Sequence, residues 1–114
     1  MNSTQRGLKA EAAARVYLEM RGYQVLEQNW RRPRCEIDII AKKDGVIYFV
    51  EVKYRASDRQ GGGLEAITAT KLRQMRYAAE VWVDEEKWRG PYQLGAIEIA
   101  GNEFAVLSFI DNVF

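Results

Sequence analysis

The chain has 114 residues, of which 47% are hydrophobic and 29% are charged, enough for one compact core and too few for two ordinary domains. Seventeen basic and 16 acidic side chains leave a net charge of +1, so any attraction to a polyanion must come from local clusters. Histidine is absent and Cys35 is the single cysteine, which excludes catalytic triads, imidazole bases and zinc sites built from imidazole or several thiolates. The chemistry left to the side chains is that of carboxylates and lysines.

No apolar run approaches the length needed to span a bilayer, and residues 1–7 lack the apolar stretch of a signal peptide. We therefore expect a single domain over residues 1–114, located in the cytoplasm and without a membrane partner.

The N-terminal segment, residues 3–21, predicts a helix. Ser3 or Thr4 can cap it, alanines fill its centre, and Gly22 stands where a helix stop is expected. On a helical wheel one side is apolar, and we expect it to face the core. This side comprises Leu8, Ala12, Val16, Tyr17 and Met20.

Strand-like segments and one further helix follow in a regular order. Residues 23–29, 36–42 and 46–54 have strand composition, and Asp44-Gly45 predicts a tight hairpin between the last two. A polar loop ending in glycines 61–63 precedes a second helix over residues 64–83. A second hairpin, with strands 92–100 and 103–110, turns at Gly101-Asn102. The predicted order is α-β-β-β-α-β-β.

The first hairpin carries an unusual set of charges. With Asp44 and Gly45 as its loop, Asp38 lies opposite Glu51 and Glu36 lies opposite Lys53. Side chains alternate along a strand, so all four point to the same face. Opposed carboxylates repel, and a divalent cation such as Mg²⁺ would offset the repulsion, since it often binds through one or two carboxylates and substrate phosphates. The alternative is a solvated face with Glu36 paired to Lys53.

The sequence Glu36-Ile-Asp38, a short turn, and then Glu51-Val-Lys53 closely resembles the YraN-like family of small bacterial proteins. That family is similar to a minimal member of the PD-(D/E)xK superfamily, and its pattern resembles that of Holliday junction resolvases. The resemblance extends to Glu11 in the first helix, Asn29, and Lys71 in the second helix. It implies a three-layer restriction-endonuclease-like fold, with a central mixed sheet flanked by helices.

The resemblance also implies functional residues. Asp38 and Glu51 would bind Mg²⁺ or Mn²⁺, and the backbone carbonyl of Val52 would complete the coordination shell. Lys53 would be the catalytic lysine, and Glu11 and Glu36 would be auxiliary acidic residues. From the residues alone, a surface ion pair between Glu11 and Arg15 is the favoured account of Glu11, and only the resemblance places it in the site.

Cations at the ends of the hairpin and in the second helix predict nucleic-acid contacts. Arginine pairs well with phosphate, so we expect a phosphate track beside the acidic strands. Lys71 lies within the apolar arc of its helix, so it either snorkels to water or reaches the carboxylates or a phosphate. The candidate nucleic-acid contacts are Arg31, Arg32, Arg34, Arg55, Arg59 and Lys71.

Together these features predict a divalent-metal-dependent nuclease that hydrolyses phosphodiester bonds in DNA, with branched or repair intermediates as candidate substrates. The alternative is a non-catalytic nucleic-acid-binding or interaction module that retains the same fold. The sequence does not determine whether the chain forms a homodimer.

Overall fold

The computed structural model describes residues 1–56 and 67–113, which form two helices and one five-stranded sheet. The predicted order, α-β-β-β-α-β-β, is confirmed. Arg59, glycines 61–63 and the predicted helix start at Leu64 lie outside the described residues. The elements are α1 Ser3–Met20, β1 Gln24–Arg32, β2 Cys35–Lys43, β3 Val46–Arg55, α2 Ala69–Glu86, β4 Tyr92–Ala100 and β5 Ala105–Ile110.

The sheet has the spatial order β1-β2-β3-β4-β5. Neighbouring strands are antiparallel except for β3 and β4, which are parallel. A parallel pair needs a crossover connection, and the chain between β3 and β4 contains α2. The predicted mixed sheet is therefore confirmed.

The two helices cover opposite faces of the sheet. Because side chains alternate along a strand, Ile39 and Val50 pack under α1, whereas Ile40 and Phe49 pack under α2. The result is the predicted three-layer arrangement, helix on sheet on helix. Neither of the two described helices is long and apolar enough to cross a bilayer.

The predicted core face of α1 was wrong. The helix buries Ala10, Ala14 and Leu18 against the sheet, whereas Leu8 is 57% exposed, Val16 54% and Met20 82%. Small alanines let the helix lie close to a sheet whose isoleucines and valines already supply the bulk of the core. Leu8, Val16 and Met20 consequently point to solvent, whereas Tyr17, from the same predicted side, packs against the edge of the core.

Two predicted boundaries also move. Helix α2 begins at Ala69 because Thr68 caps it, with its hydroxyl oxygen accepting a hydrogen bond from the Lys71 amide at 3.1 Å. Strand β5 begins at Ala105 and not at 103, because the preceding turn extends to Phe104, whose φ of +53° is left-handed.

Candidate functional site

The hairpin of β2 and β3 positions the acidic residues. Asp44 and Gly45 both have positive φ, 51° and 79°, as a two-residue hairpin turn of this kind requires. Backbone pairing runs from Lys43 with Val46 to Ile39 with Val50, in the predicted register. The pairing ends there, so the predicted backbone pairs of Asp38 with Glu51 and of Glu36 with Lys53 are not formed.

The two strands separate because each pairs more extensively with its other neighbour. Strand β2 continues along β1 as far as the pair Cys35–Arg32, and β3 continues along β4 as far as Arg55–Ala100. At the separation, Asp38 Oδ2 accepts a hydrogen bond from the Val52 amide at 2.8 Å. The Asp38 side chain thus supplies a hydrogen bond between the two strands where their backbone pairing has ended.

A cavity of about 370 Å³ opens beside this separation. Strands β2 and β3 supply Asp38 and Glu51 to its wall, and α2 supplies Lys71 and Gln74. Arg31, Arg32, Arg34 and Glu36 complete its polar lining. The cavity therefore combines a carboxylate pair with cations from β1, from the turn between β1 and β2, and from α2.

Asp38 and Glu51 are joined by a hydrogen bond between their side chains. Burial, the hydrogen bond with Glu51 and the charge of Glu51 together raise the pKa of Asp38 to about 8, although the hydrogen bond from the Val52 amide acts to lower it. Burial also acts to raise the pKa of Glu51, but hydrogen bonds from Asp38 and Lys71 outweigh it and leave that pKa lowered. Near neutral pH the pair therefore holds one proton, which Asp38 donates to the Glu51 carboxylate.

Two lysines approach Glu51. Lys71 Nζ lies 2.7 Å from Glu51 Oε2, and Lys53 Nζ lies 3.8 Å from the same oxygen. Burial disfavours the charge of Lys71, but its hydrogen bond with Glu51 and the charges of nearby carboxylates raise its pKa overall. Of the two sequence alternatives for Lys71, the structure shows the one in which it reaches the carboxylates.

The two auxiliary acidic residues make no hydrogen bond to the pair, although the charge of Glu11 acts to raise the pKa of Asp38 and Glu36 lines the same cavity. Glu36 is exposed and forms an ion pair with Arg31 at 3.5 Å. Glu11 accepts a hydrogen bond from Asn29 Nδ2 at 3.0 Å. The alternative surface pair of Glu11 with Arg15 is not formed, because Arg15 binds Glu19 and Gln28 instead.

Asn29 is a residue that sequence reasoning did not place in the site. Its neighbours in β1, Gln28 and Trp30, pair with Ile39 and Ile37, so Asn29 stands opposite Asp38. Its φ of +51° is left-handed, which is unusual inside a strand. Asparagine is depleted in strand interiors and tolerates this conformation, and that composition signal could have identified it.

The arginines of the predicted phosphate track differ in their ion-pair partners. Arg32 binds both carboxylate oxygens of Glu85 at 2.7–3.0 Å, and Arg55 Nε lies 2.8 Å from the buried Glu98. Arg55 is therefore largely enclosed, and Arg32 is anchored to α2. Among the described residues no ion-pair partner is found for Arg34, which is exposed at the mouth of the cavity.

The donor set fits a hard divalent cation. No group of three or more metal-ligating side chains occurs among residues 1–56 and 67–113, so the side-chain ligands would be Asp38 and Glu51 alone. Mg²⁺ commonly binds through one or two carboxylates, with water and substrate phosphate oxygens as its other ligands. Here a shared proton and a lysine ammonium balance the carboxylate pair, and a cation would serve the same electrostatic need. The Val52 amide binds Asp38, and its carbonyl as a further ligand stays a prediction.

Fold and site together define a three-layer α/β protein with a carboxylate pair and two lysines where its central strands separate. The chain belongs to the uncharacterised protein family UPF0102, whose sequence model matches residues 10–108. This family is the YraN-like family, so the sequence resemblance is confirmed. The matched range spans every site residue from Glu11 to Lys71.

Relatives of similar length occur in several organisms. A UPF0102 protein of Cytophaga hutchinsonii is 35% identical, covering 93% of this chain and 94% of its own. One from Sulfurihydrogenibium sp. is 37% identical, covering 100% and 97%. A third, from Caldicellulosiruptor saccharolyticus, is 37% identical over the whole of both chains.

Proposed function

We propose that this protein is a Mg²⁺- or Mn²⁺-dependent nuclease that hydrolyses phosphodiester bonds in DNA. The observation that carries the proposal is the contact between Asp38 and Glu51 at the wall of a cavity, with the ammonium groups of Lys71 and Lys53 within 2.7 and 3.8 Å of Glu51. Burying a carboxylate pair destabilises the folded state. Such a pair is typical of a functional site, and a site that binds cations and phosphates would account for it. The similarity of the Glu-Ile-Asp and Glu-Val-Lys sequences to PD-(D/E)xK nucleases adds support.

Each side chain has a distinct task in such a reaction. Asp38 and Glu51 would hold the cation, which supplies positive charge that polarises the phosphate and the attacking water. The Val52 amide fixes the orientation of Asp38. Lys53 and Lys71 would stabilise negative charge that develops on the phosphate oxygens.

The surroundings of the cavity suit a phosphate backbone. Arg34 and Arg31 are exposed at its mouth and present guanidinium groups to any strand that enters. Phosphate contacts of this kind position the nucleic acid and carry no sequence information. Glu36 and the Glu11–Asn29 pair would act as auxiliary groups beside the carboxylate pair.

Metal binding is tested by thermal unfolding with and without Mg²⁺ or Mn²⁺. A cation present at about 100 times its Kd stabilises the folded state by about 2.7 kcal/mol. The rise in Tm should shrink in Asp38→Asn and Glu51→Gln. It should be preserved in Glu80→Gln, a matched control on the exposed side of α2.

Catalysis is tested on duplex, flapped, single-stranded and four-way DNA, with RNA as a comparison. Asp38→Asn should abolish metal-dependent cleavage, whereas Lys53→Ala should slow turnover and leave the Tm response to metal intact, because an ammonium is not a ligand. If the wild type cleaves none of these substrates with either metal while still binding them, the nuclease is refuted and the non-catalytic nucleic-acid-binding module stands.

A further inference from the structure

Glu98 of β4 is a charged residue buried in the sheet, with an exposed fraction of only 3%. It follows Leu94 by two alternations of the strand, so it lies on the α2 face, as the carboxylate pair does. Its Oε2 lies 2.8 Å from Arg55 Nε, but the contact is not aligned as a hydrogen bond. Within residues 1–56 and 67–113 that oxygen has no hydrogen-bond partner. The buried carboxylate therefore depends on the charge of the arginine, and it would attract another cation if that charge were removed.

Lys53 lies beside two carboxylates. Glu51 precedes it by two residues on the same face of β3, and Glu98 is its direct partner in the parallel pairing of β3 with β4. Neighbouring strands are about 4.8 Å apart, so the flexible stem of a lysine can reach either group. Lys53 Nζ lies 3.8 Å from Glu51 Oε2, and the described part of the chain contains no ion pair between Lys53 and Glu98.

We infer that Arg55 is a positioning residue for Lys53. Its guanidinium occupies the carboxylate of Glu98 and thereby leaves Lys53 to Glu51. Arg55 follows Lys53 by two residues on the same face, and its side chain is only 16% exposed. A guanidinium is more weakly hydrated than an ammonium, so it is the better partner for a buried carboxylate. This role replaces the phosphate contact predicted for Arg55 from the sequence.

The inference has a structural part and a catalytic part. The structural part is the competition of Arg55 and Lys53 for Glu98, which is independent of any reaction. The catalytic part rests on the proposed function, because it assumes that the ammonium of Lys53 acts beside the carboxylate pair. Arg55→Gln should draw Lys53 away from Glu51, and the additional change Glu98→Gln should return it by removing the attraction.

Urea unfolding tests the structural part without any substrate. Lys53→Met should lower the urea midpoint more in the Arg55→Gln background than in the wild type, because Lys53 then balances a buried charge. Glu98→Gln in addition should abolish this difference. Lys9→Met, which changes an exposed lysine of α1, is the matched control and should have the same effect in both backgrounds.

Two results would overturn the competition. One is an equal effect of Lys53→Met with and without Arg55. The other is an Arg55→Gln chain that does not fold while Arg55→Gln/Glu98→Gln does, since Lys53 would then fail to reach the buried carboxylate.

Cleavage kinetics test the catalytic part. Arg55→Gln should lower kcat to about the level of Lys53→Ala and leave KM unchanged, because the exposed arginines at the cavity still bind the DNA. Arg55→Lys and Arg55→Gln/Glu98→Gln should both recover most of the lost kcat. A phosphate contact by Arg55 predicts instead a raised KM that Glu98→Gln does not correct, and that result would overturn the positioning role. A wild type without cleavage would refute the proposed function and the catalytic part together, and the urea measurements would still decide the competition.

Discussion

The side chain of Asp38 links two strands and two carboxylates. One oxygen accepts the Val52 amide across the gap between β2 and β3, and the acid proton is shared with Glu51. Little solvent screens the pair, so the cost of two negative charges is met by retaining one proton. The local structure of the hairpin end therefore depends on the protonation of this one residue.

Asp38 should make the stability of the protein pH-dependent in the absence of divalent metal. Its pKa is about 8 in the folded chain against 3.8 for an ordinary aspartate, so between these values only the folded state keeps the proton. The free energy of unfolding should therefore fall as pH rises from about 4 to about 8. Urea unfolding across this range checks it. Asp38→Asn should flatten the decline, and the exposed-site control Asp84→Asn should keep it; equal slopes in all three proteins would contradict the assignment.

Asn29 should show a backbone effect separable from its hydrogen bond. Asn29→Ala and Asn29→Gly both remove the donor to Glu11, but only alanine meets the steric cost of a left-handed φ, about 1–2 kcal/mol. The alanine variant should therefore unfold at lower urea than the glycine variant. Equal midpoints would show that the conformation at Asn29 carries no strain.

At the scale of elements, local patterns predicted more than long-range ones. The Asp44-Gly45 turn and the alternation of β2 and β3 are local, and they gave the correct register up to Ile39 and Val50. The end of that pairing was not predictable, because it depends on competition from β1 and β4. The buried side of α1 was also missed, since a helical wheel records hydrophobicity and takes no account of which side-chain sizes fit the sheet.

Contacts of the candidate site were likewise predictable where they depend on local sequence, and not where they join distant segments of the chain. The shared face of Asp38, Glu51 and Lys53 follows from strand alternation alone. The ion pair of Arg32 with Glu85 joins β1 to α2, and nothing in the local sequence of either element indicates it. Partners so distant in the chain become apparent only when the packing of the elements is known.

The N-cap of α2 should stabilise the helix that carries Lys71 to the candidate site. Thr68→Ala removes the hydrogen bond to the Lys71 amide and should lower stability by about 1 kcal/mol, which corresponds to a Tm about 4–8 °C lower. Thr70→Ala, two residues further on and inside the helix, is the control and should change Tm little. A Thr68→Ala variant as stable as the wild type would mean that the cap contributes nothing to the folded state.

Over the whole molecule, the near-neutral net charge is unevenly distributed. At the mouth of the cavity, Arg31 forms an ion pair with Glu36 and Arg32 forms one with Glu85. No ion pair is found for Arg34 among the described residues. A surface with an available guanidinium beside a carboxylate pair can attract phosphate without a high overall charge.

Arg34→Ala should weaken DNA binding and flatten its dependence on salt. If Arg34 contacts one phosphate of a duplex, the slope of log K against log salt should change by about 0.9. Fluorescence anisotropy at several salt concentrations measures this. Arg6→Ala removes the same charge from α1 on the opposite face and should keep the wild-type slope. An identical change in both variants would assign the effect to net charge and not to this position.

The parallel pairing of β3 with β4 has a consequence for the order of folding. Strands β1, β2 and β3 form an antiparallel meander of short connections, whereas β4 and α2 join through contacts distant in the chain. Local loops close at lower entropic cost, so Asp38 and Glu51 meet and must take up their shared proton before Lys71 arrives beside Glu51. Stopped-flow kinetics in urea should therefore show faster folding in Asp38→Asn, whereas Lys71→Met should mainly accelerate unfolding. The carboxylate pair that shapes the folded site would thus be a kinetic barrier on the way to it.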